Sequence, residues 1–263
     1  MPVLNEEKSP PAPGEAEPLI RIQGVKKKLG KQEVLCGVDL DVMPGKTMVI
    51  LGRSGSGKSV LLKNIIGLWR PDEGHVLVEG VDVTQFSERA LAKIRKKVAM
   101  LFQSAALFDS MTVEQNIAFP LRESGIKDPV LIAQKVAAAL DMVDLAGTEK
   151  KLPDSLSGGM RKRVGLARAI VSEPMCILYD EPTTGLDPIV SDSINRLIRR
   201  LQSRLHVTSI VVTHDMKSAF HVGDDIAYLH EGKIYFRGTP EELSATTDPL
   251  LRDFVLGHSG ETD

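Results

Sequence analysis

Cysteine and aromatic residues are scarce in this sequence, and its charges nearly cancel. Two cysteines, Cys36 and Cys176, occur among 263 residues, so no framework of disulfide bonds is implied and a reducing compartment suits the chain. Aromatic residues make up 4% of the chain. The formal net charge of −2 gives no electrostatic reason to expect nucleic acid or an anionic membrane surface as a partner.

Long hydrophobic runs are also missing. No stretch approaches the roughly 18 apolar residues that a membrane-spanning helix needs, and the first residues lack the apolar segment of a signal peptide. Proline and glutamate are frequent at the start instead, which predicts a disordered leader over residues 1–18. Any work at a membrane would then depend on other chains.

What the sequence does contain is an alternation of short apolar runs with helical patterns, which predicts a parallel α/β core. A mostly helical stretch interrupts the alternation and predicts an inserted helical subdomain at about residues 104–170. The ordered domain is expected to cover residues 19–243, with a C-terminal tail over 244–263. Predicted strands occupy 19–25, 34–42, 48–51, 75–78, 98–102, 176–179 and 208–213, with a hairpin at 226–229 and 233–236. Predicted helices occupy 60–68, 87–97, 130–143 and 189–205, with another after Ser157 and a basic turn at 26–31.

A glycine-rich loop follows the apolar run at 48–51 and matches the phosphate-binding pattern G-x-x-x-x-G-K-[ST]. Its glycines let backbone N–H groups face phosphate oxygens, and the following helix presents its positive end to the same anion. Lys58 would pair with the outer phosphates of ATP, and Ser59 would coordinate Mg²⁺. A glycine-rich turn with a surface lysine is the alternative, but the position between strand and helix favours phosphate binding. The loop reads Gly52, Arg53, Ser54, Gly55, Ser56, Gly57, Lys58 and Ser59.

Two acids, Asp180 and Glu181, end the apolar run at 176–179. A buried strand that ends in acids places them at the carboxyl edge of the sheet, where open α/β folds bind ligands. Asp180 would hold Mg²⁺, and Glu181 would orient or polarise the attacking water. Taken alone the pair is more often a helix cap or a solvated turn. The phosphate loop upstream favours the catalytic interpretation.

The string Leu156-Ser157-Gly158-Gly159-Met160 resembles the signature motif of ABC ATPases. A helix cap would also account for Ser157, but not for the further matches in order along the chain. Gln103 resembles the family's glutamine loop, Gly185-Leu186-Asp187 its D-loop, and His214 its switch histidine. The resemblance implies a P-loop NTPase core of ABC type with an antiparallel β subdomain. It further implies catalytic roles for Glu181, His214 and Gln103, Mg²⁺ ligation by Ser59, Gln103 and Asp180, and nucleotide contacts from the phosphate loop, Ser157, Gly158, Gly159 and Asp187.

The resemblance also implies an assembly. Two such domains pair head to tail, and each ATP lies between the phosphate loop of one chain and residues 157–159 of the other. The expected partners are a second copy of the chain, integral membrane permease subunits and a Mce-type lipid-binding protein, with no nucleic acid. The expected location is the cytoplasmic face of the inner membrane, where the chain is peripheral.

Narrower stretches at 100–110, 119–123 and 156–166 look like the ATPases of Mla and Mce-associated lipid transporters, which move phospholipids or other hydrophobic molecules across the bacterial envelope. Resemblance to amino-acid importer ATPases is weaker, and another importer or exporter stays open. A soluble ABC protein of DNA repair or translation is a further alternative. Such proteins usually have a coiled-coil insertion or two domains in one chain, and neither fits in 263 residues with one phosphate loop. A catalytically dead regulator is disfavoured because Lys58, Glu181 and His214 are all present.

Two further expectations concern apolar side chains. Many relatives place an aromatic residue before the glycine that matches Gly30, where it stacks on adenine, but this chain has Leu29. Leu29 offers apolar contact without a π-face.

The surface that receives a short permease helix in the family would be built here from Ala105, Leu107 and Phe108, with Phe119 and Leu121 nearby.

Overall fold

The computed structural model describes residues 17–257. The predicted leader lies outside the described residues except for Glu17 and Pro18, as do the last six residues of the predicted tail. Ten strands run through the described part: β1 (Ile20–Leu29), β2 (Gln32–Val42), β3 (Thr47–Leu51), β4 (Glu73–Val78), β5 (Val81–Asp82), β6 (Val98–Leu101), β7 (Cys176–Asp180), β8 (Thr208–Thr213), β9 (Asp225–His230) and β10 (Lys233–Gly238).

Nine α-helices accompany these strands within residues 17–257, and none is long and apolar enough to cross a bilayer. They are α1 (Lys58–Ile65), α2 (Glu88–Lys97), α3 (Val113–Glu123), α4 (Pro129–Met142), α5 (Gly158–Ile170), α6 (Pro188–Leu205), α7 (Met216–Val222), α8 (Pro240–Ser244) and α9 (Pro249–Leu256). The last three were not predicted from the sequence.

A four-stranded antiparallel sheet in the order β2-β1-β4-β5 confirms the expected antiparallel β subdomain. The predicted basic turn at 26–31 is wrong for most of its length, because β1 continues to Leu29. The lysines there pair with acids that arrive from distant sequence: Lys26 Nζ lies 2.7 Å from Glu73 Oε2, and Lys27 Nζ lies 2.7 Å from Asp72 Oδ1. The chain turns only after Leu29, at Gly30, whose φ is +63°.

The second sheet has six strands in the order β10-β9-β3-β8-β7-β6, and it is parallel from β9 to β6. Its central strands are buried on both faces, as parallel sheets usually are. Alternate residues of β3 belong to different hydrophobic clusters, with Val49 and Leu51 in one and Met48 and Ile50 in the other. The predicted parallel α/β core is therefore confirmed.

Helices α3, α4 and α5 occupy the stretch between β6 and β7 where a helical subdomain was expected. A capping box between Thr112 and Gln115 begins α3, and Asp128 caps α4. Buried residues of both helices, such as Ile117 and Val136, join the cluster that contains Val49 and Leu51. The helices are thus packed through one continuous core onto one face of the parallel sheet.

Part of the predicted C-terminal tail is ordered structure. Helix α9 begins at a cap formed by Asp248, and its Leu251 is 3% exposed. The ring of Phe254 lies 4.7 Å from the ring of Tyr228 on β9. Residues 249–256 therefore pack against the six-stranded sheet. The boundary at 243 stays a prediction.

Candidate nucleotide site

The predicted site residues meet because of the strand order. Strands β3, β8, β7 and β6 are parallel neighbours in the second sheet, so their carboxyl ends share one edge. β3 leads into the phosphate loop, β8 into His214, β7 into Glu181, and β6 into the segment that holds Gln103. A cavity of about 460 Å³ opens at this edge. Ligands of open α/β folds bind at such an edge.

Most of the predicted residues of one half-site line this cavity, together with several that sequence reasoning missed. The predicted residues lining it are Ser54, Gly55, Gly57, Lys58, Ser59, Gln103, Glu181, His214 and the expected base contact Leu29. The residues missed are Gln32, Val34, Val60 and Thr184. Three other residues of the phosphate loop do not line the cavity, namely Gly52, Arg53 and Ser56. Asp180 does not line it either, but it accepts a hydrogen bond from Ser59, which does. Ser157, Gly158, Gly159 and Asp187 do not line it.

Helix α1 begins differently from every other α-helix in residues 17–257. The other eight helices each have a side chain that caps their first N–H groups, whereas α1 follows Gly57 without a side-chain cap. Gly57 has a φ of +102°, and a Cβ there would lie 2.9 Å from Val34 Cγ1. The buried hydroxyl of Ser56 also has no hydrogen-bond partner in the described structure. These unused donors suit an anion bound at the helix N-terminus.

Lys58 places a cation in this loop, and its side chain is 5% exposed. Its ammonium donates to the carbonyl oxygens of Gly52 at 2.8 Å and Arg53 at 3.0 Å, and it lies 3.6 Å from Glu181 Oε1. Burial lowers the pKa of Lys58, and the Glu181 carboxylate opposes that shift. The ammonium is therefore held between the loop and the carboxylate.

Two of the three predicted metal ligands are directly joined. Ser59 Oγ donates to Asp180 Oδ1 at 2.6 Å, and Asp180 is 6% exposed. Gln103 lines the same cavity, but its side chain forms no hydrogen bond to either residue within the described structure. A hydroxyl and a carboxylate are hard oxygen donors that suit Mg²⁺, which commonly takes one or two carboxylates and completes its shell with substrate phosphates and water. The donor set therefore fits Mg²⁺.

Glu181 is held in an unusual backbone conformation. Its φ is +47°, a left-handed value that costs a non-glycine residue about 1–3 kcal/mol and often occurs at functional sites. Its N–H donates to the Val212 carbonyl at 3.0 Å, which ties it to β8. The carboxylate lies 2.9 Å from His214 Nδ1 and accepts a hydrogen bond of 3.1 Å from Thr184 Oγ1. Three side chains, Lys58, His214 and Thr184, thus fix one carboxylate at the cavity.

Residues 157–159 begin α5 at a place where larger side chains do not fit. A Cβ on Gly159 would lie 2.6 Å from Val190 Cγ1, and one on Gly158 would lie 3.2 Å from Leu186 Cδ2. Ser157 Oγ accepts from the Met160 N–H at 3.3 Å, so this residue also caps the helix. Ser157 therefore does cap α5, as the alternative interpretation of the sequence predicted.

Asp187, like Ser157, is both a predicted nucleotide contact and a helix cap. Its carboxylate accepts from the N–H groups of Ile189 at 2.9 Å and Val190 at 3.0 Å, and so caps α6. Asp187 and the glycines of the α5 start meet near Leu186 and Val190, away from the cavity of their own chain. The predicted nucleotide contacts of Asp187 and of residues 157–159 stay a prediction.

The expected permease surface is partly wrong. Ala105 is fully buried and Leu121 is 2% exposed, because both pack into the core beneath the helical stretch. Phe108 is 42% exposed, and its ring lies 4.9 Å from that of Phe119. These two phenylalanines line a groove of about 330 Å³ beside the glutamine loop. The apolar surface is therefore centred on Phe108 and Phe119 rather than on all five residues.

Comparison with known proteins settles the family. Residues 35–184 match a family model described as ABC transporter. The chain belongs to the ABC transporter family. It is an ABC-type ATPase subunit, as the ordered motifs predicted.

Several known proteins are similar to this chain over most of its length. This ABC subunit is 40% identical over 241 residues to the intermembrane phospholipid transport system ATP-binding protein MlaF of Haemophilus influenzae, covering 92% of this chain and 91% of that protein. It is 41% identical over 238 residues to the probable ribonucleotide transport ATP-binding protein mkl of Mycobacterium leprae, covering 90% of this chain and 69% of that protein. A solved dimeric ATP-binding cassette in a post-hydrolysis state with ADP and Pi has a TM-score of 0.77 and 31% identity, covering 84% of this chain and 98% of that one.

Proposed function

We propose that this ABC subunit works as a homodimer that binds and hydrolyses Mg²⁺–ATP and thereby powers the movement of phospholipid, or another hydrophobic molecule, by membrane permease subunits. The observation that carries the ATPase part is the cavity that joins Lys58, Glu181 and His214 at one sheet edge. The lipid part is supported by the phospholipid transport protein of Haemophilus influenzae, which this chain matches over nearly the whole length of both.

ATP would bind with its outer phosphates in the phosphate loop. The uncapped N–H groups at the start of α1 face the phosphate oxygens, and Lys58 exchanges its two carbonyl partners for them. Leu29 and Val34 line the same cavity and supply apolar contact to the base. Binding would thus draw the Lys58 ammonium away from Glu181 as well.

Hydrolysis needs a water molecule aligned with the terminal phosphorus. Glu181 accepts a hydrogen bond from that water, and His214 and Thr184 keep the carboxylate in place. The water oxygen then forms a bond to the terminal phosphorus and its proton passes to Glu181, while the bond to the bridging oxygen breaks, which yields ADP and phosphate. Ser59, Asp180 and Gln103 would hold Mg²⁺, which offsets the negative charge of the phosphates when bound.

The second wall of each site would come from the other copy. Four residues predicted to contact nucleotide do not line the cavity of their own chain and would contact the partner's nucleotide instead: Ser157, Gly158, Gly159 and Asp187. The dimeric relative bound to ADP and Pi supports this arrangement. Tighter binding of ATP to the closed dimer than to separate chains would drive the conformational change.

The dimer would also work at a membrane. The dimer would be peripheral on the cytoplasmic face of the inner membrane, bound to permease subunits that work with a Mce-type lipid-binding protein. The test is to co-express the chain with a candidate permease, purify the complex in detergent, and measure ATP hydrolysis with phospholipid or with a pyrimidine ribonucleotide added. Glu181→Gln in the same complex provides the background rate.

Stimulation by phospholipid above that background supports the proposal. Stimulation by ribonucleotide alone would favour the activity named for the Mycobacterium leprae relative. Co-purification of nucleic acid or ribosomes in place of a permease would reject the transport function altogether.

A further inference from the structure

Helix α5 carries a buried lysine that reaches two of the proposed catalytic residues without lining the cavity. Lys162 is 6% exposed, and its ammonium donates to the backbone carbonyl oxygen of Gln103. A second carbonyl oxygen, that of Glu181, lies 3.4 Å from the same nitrogen. Lys162 therefore bridges the backbone at the ends of β6 and β7.

The charge of Lys162 is not balanced by a direct ion pair. Within residues 17–257, no carboxylate oxygen lies within 4.0 Å of its ammonium, so its close partners are carbonyl oxygens. Burial lowers the pKa of Lys162, and the carboxylates of Asp180 and Glu181 oppose that shift. A buried cation with neutral partners is costly to keep, whereas an apolar residue of similar length would fill the same space without that cost. Packing alone therefore does not account for a lysine at this place.

The backbone that Lys162 contacts is conformationally strained. Glu181 has a φ of +47°, and the turn that starts at Gln103 contains Ala105 at +62° and Ala106 at +46°. Such conformations persist only where surrounding contacts fix them. A second cation of α5, Arg168, donates to the carbonyl oxygens of Ala105 and Ala106 at 2.7 Å each. Helix α5 thus holds the glutamine loop, residues 103–106, at both ends.

We propose that Lys162 is a positioning residue for ATP hydrolysis, which fixes the backbone of Gln103 and Glu181 relative to the helix that begins at residues 157–159. This inference rests on the proposed ATPase function. Because α5 starts at the segment proposed to contact the partner's nucleotide, Lys162 connects that segment to the catalytic residues of its own chain. Loss of this connection displaces reacting groups without removing any group that touches ATP.

The test compares Lys162→Met, Lys162→Arg and Lys135→Met with the parent chain. Met has similar length without charge, so kcat is expected to fall roughly 10- to 100-fold, since a displacement of about 1 Å can cost about 100-fold. The KM and the ATP dissociation constant should change less than about threefold, because the groups that contact ATP remain. Lys162→Arg keeps the charge and should recover most of kcat. Lys135→Met removes a half-buried α4 charge that pairs with Glu173 and lies outside the cavity, and it should behave like the parent.

Each result supports or overturns the inference. A folded Lys162→Met chain with the parent's kcat, or a rise in KM that accounts for the whole loss, refutes it. If thermal unfolding shows that Lys162→Met does not fold, Lys162→Gln is used instead, because its amide still donates a hydrogen bond. A kcat of Lys162→Gln equal to that of the parent would overturn the requirement for a cation. A parent chain no faster than Glu181→Gln would reject the proposed function itself, which is a distinct outcome.

Discussion

Replacing Lys58 with alanine tests the phosphate-binding assignment most closely. The ammonium would lose its contact with the terminal phosphates, and a hydrogen bond to a charged group contributes about 1.5–3 kcal/mol, which corresponds to roughly a 10- to 100-fold loss of affinity. The structure favours the lower part of this range. In the free chain Lys58 already bonds to two carbonyl oxygens and lies 3.6 Å from Glu181 Oε1, so ATP must replace existing contacts.

The assay is calorimetric titration of ATP into the purified chain, with circular dichroism as the control for folding. Lys63→Ala is the matched control, because Lys63 lies on the same helix α1 but its ammonium lies over the Trp69 ring, 4.3 Å from the centroid, and does not line the cavity. We expect Lys58→Ala to weaken ATP binding and Lys63→Ala to leave it unchanged. Unchanged affinity for Lys58→Ala, or equal losses in both variants, would refute the assignment.

Two more predictions follow from apolar side chains. Leu29→Tyr should tighten ATP but not tripolyphosphate, because Leu29 lines the cavity at 40% exposure and stacking on a base contributes about 1–3 kcal/mol; equal affinities before and after would place the base elsewhere. Phe108→Asp should abolish the permease's stimulation of ATP hydrolysis while ATP binding persists, because Phe108 is exposed in the groove beside the glutamine loop. Full stimulation of a folded Phe108→Asp chain in nanodiscs would remove it from the coupling surface.

The sequence predicted the core of the fold and half of the site because both depend on local patterns. Lys58, Glu181 and His214 each follow a buried strand, and parallel neighbours bring their carboxyl ends together. Ion pairs between residues far apart in the chain could not be predicted from these local patterns. The local pattern predicts a turn at 26–31 because the acids that pair with Lys26 and Lys27, which are Glu73 and Asp72, lie more than 40 residues away in the chain.

Other misses have the same physical origin. Thr184 and Lys162 have no local signal, since each acquires its role from a contact with Glu181 or Gln103 that only the folded chain creates. Ala105 and Leu121 carried apolar character that did not distinguish an exposed docking surface from a buried helix contact. The nucleotide-binding role proposed for residues 157–159 would depend on a second molecule, so a single chain shows only the cap and the tight packing against Leu186 and Val190.

The most direct test of the account is the mass of Glu181→Gln in solution with and without Mg²⁺–ATP, measured by light scattering behind size-exclusion chromatography. The amide keeps the shape of the carboxylate but does not hold or deprotonate the water as it does. We predict slow hydrolysis, retained nucleotide and an ATP-dependent shift from one chain to two. Adding Ser157→Arg should prevent the shift, because Ser157 would face the partner's ATP. A Glu181→Gln chain that hydrolyses ATP at the parent's rate, or stays monomeric when saturated with ATP, would contradict a shared site in which Glu181 is catalytic.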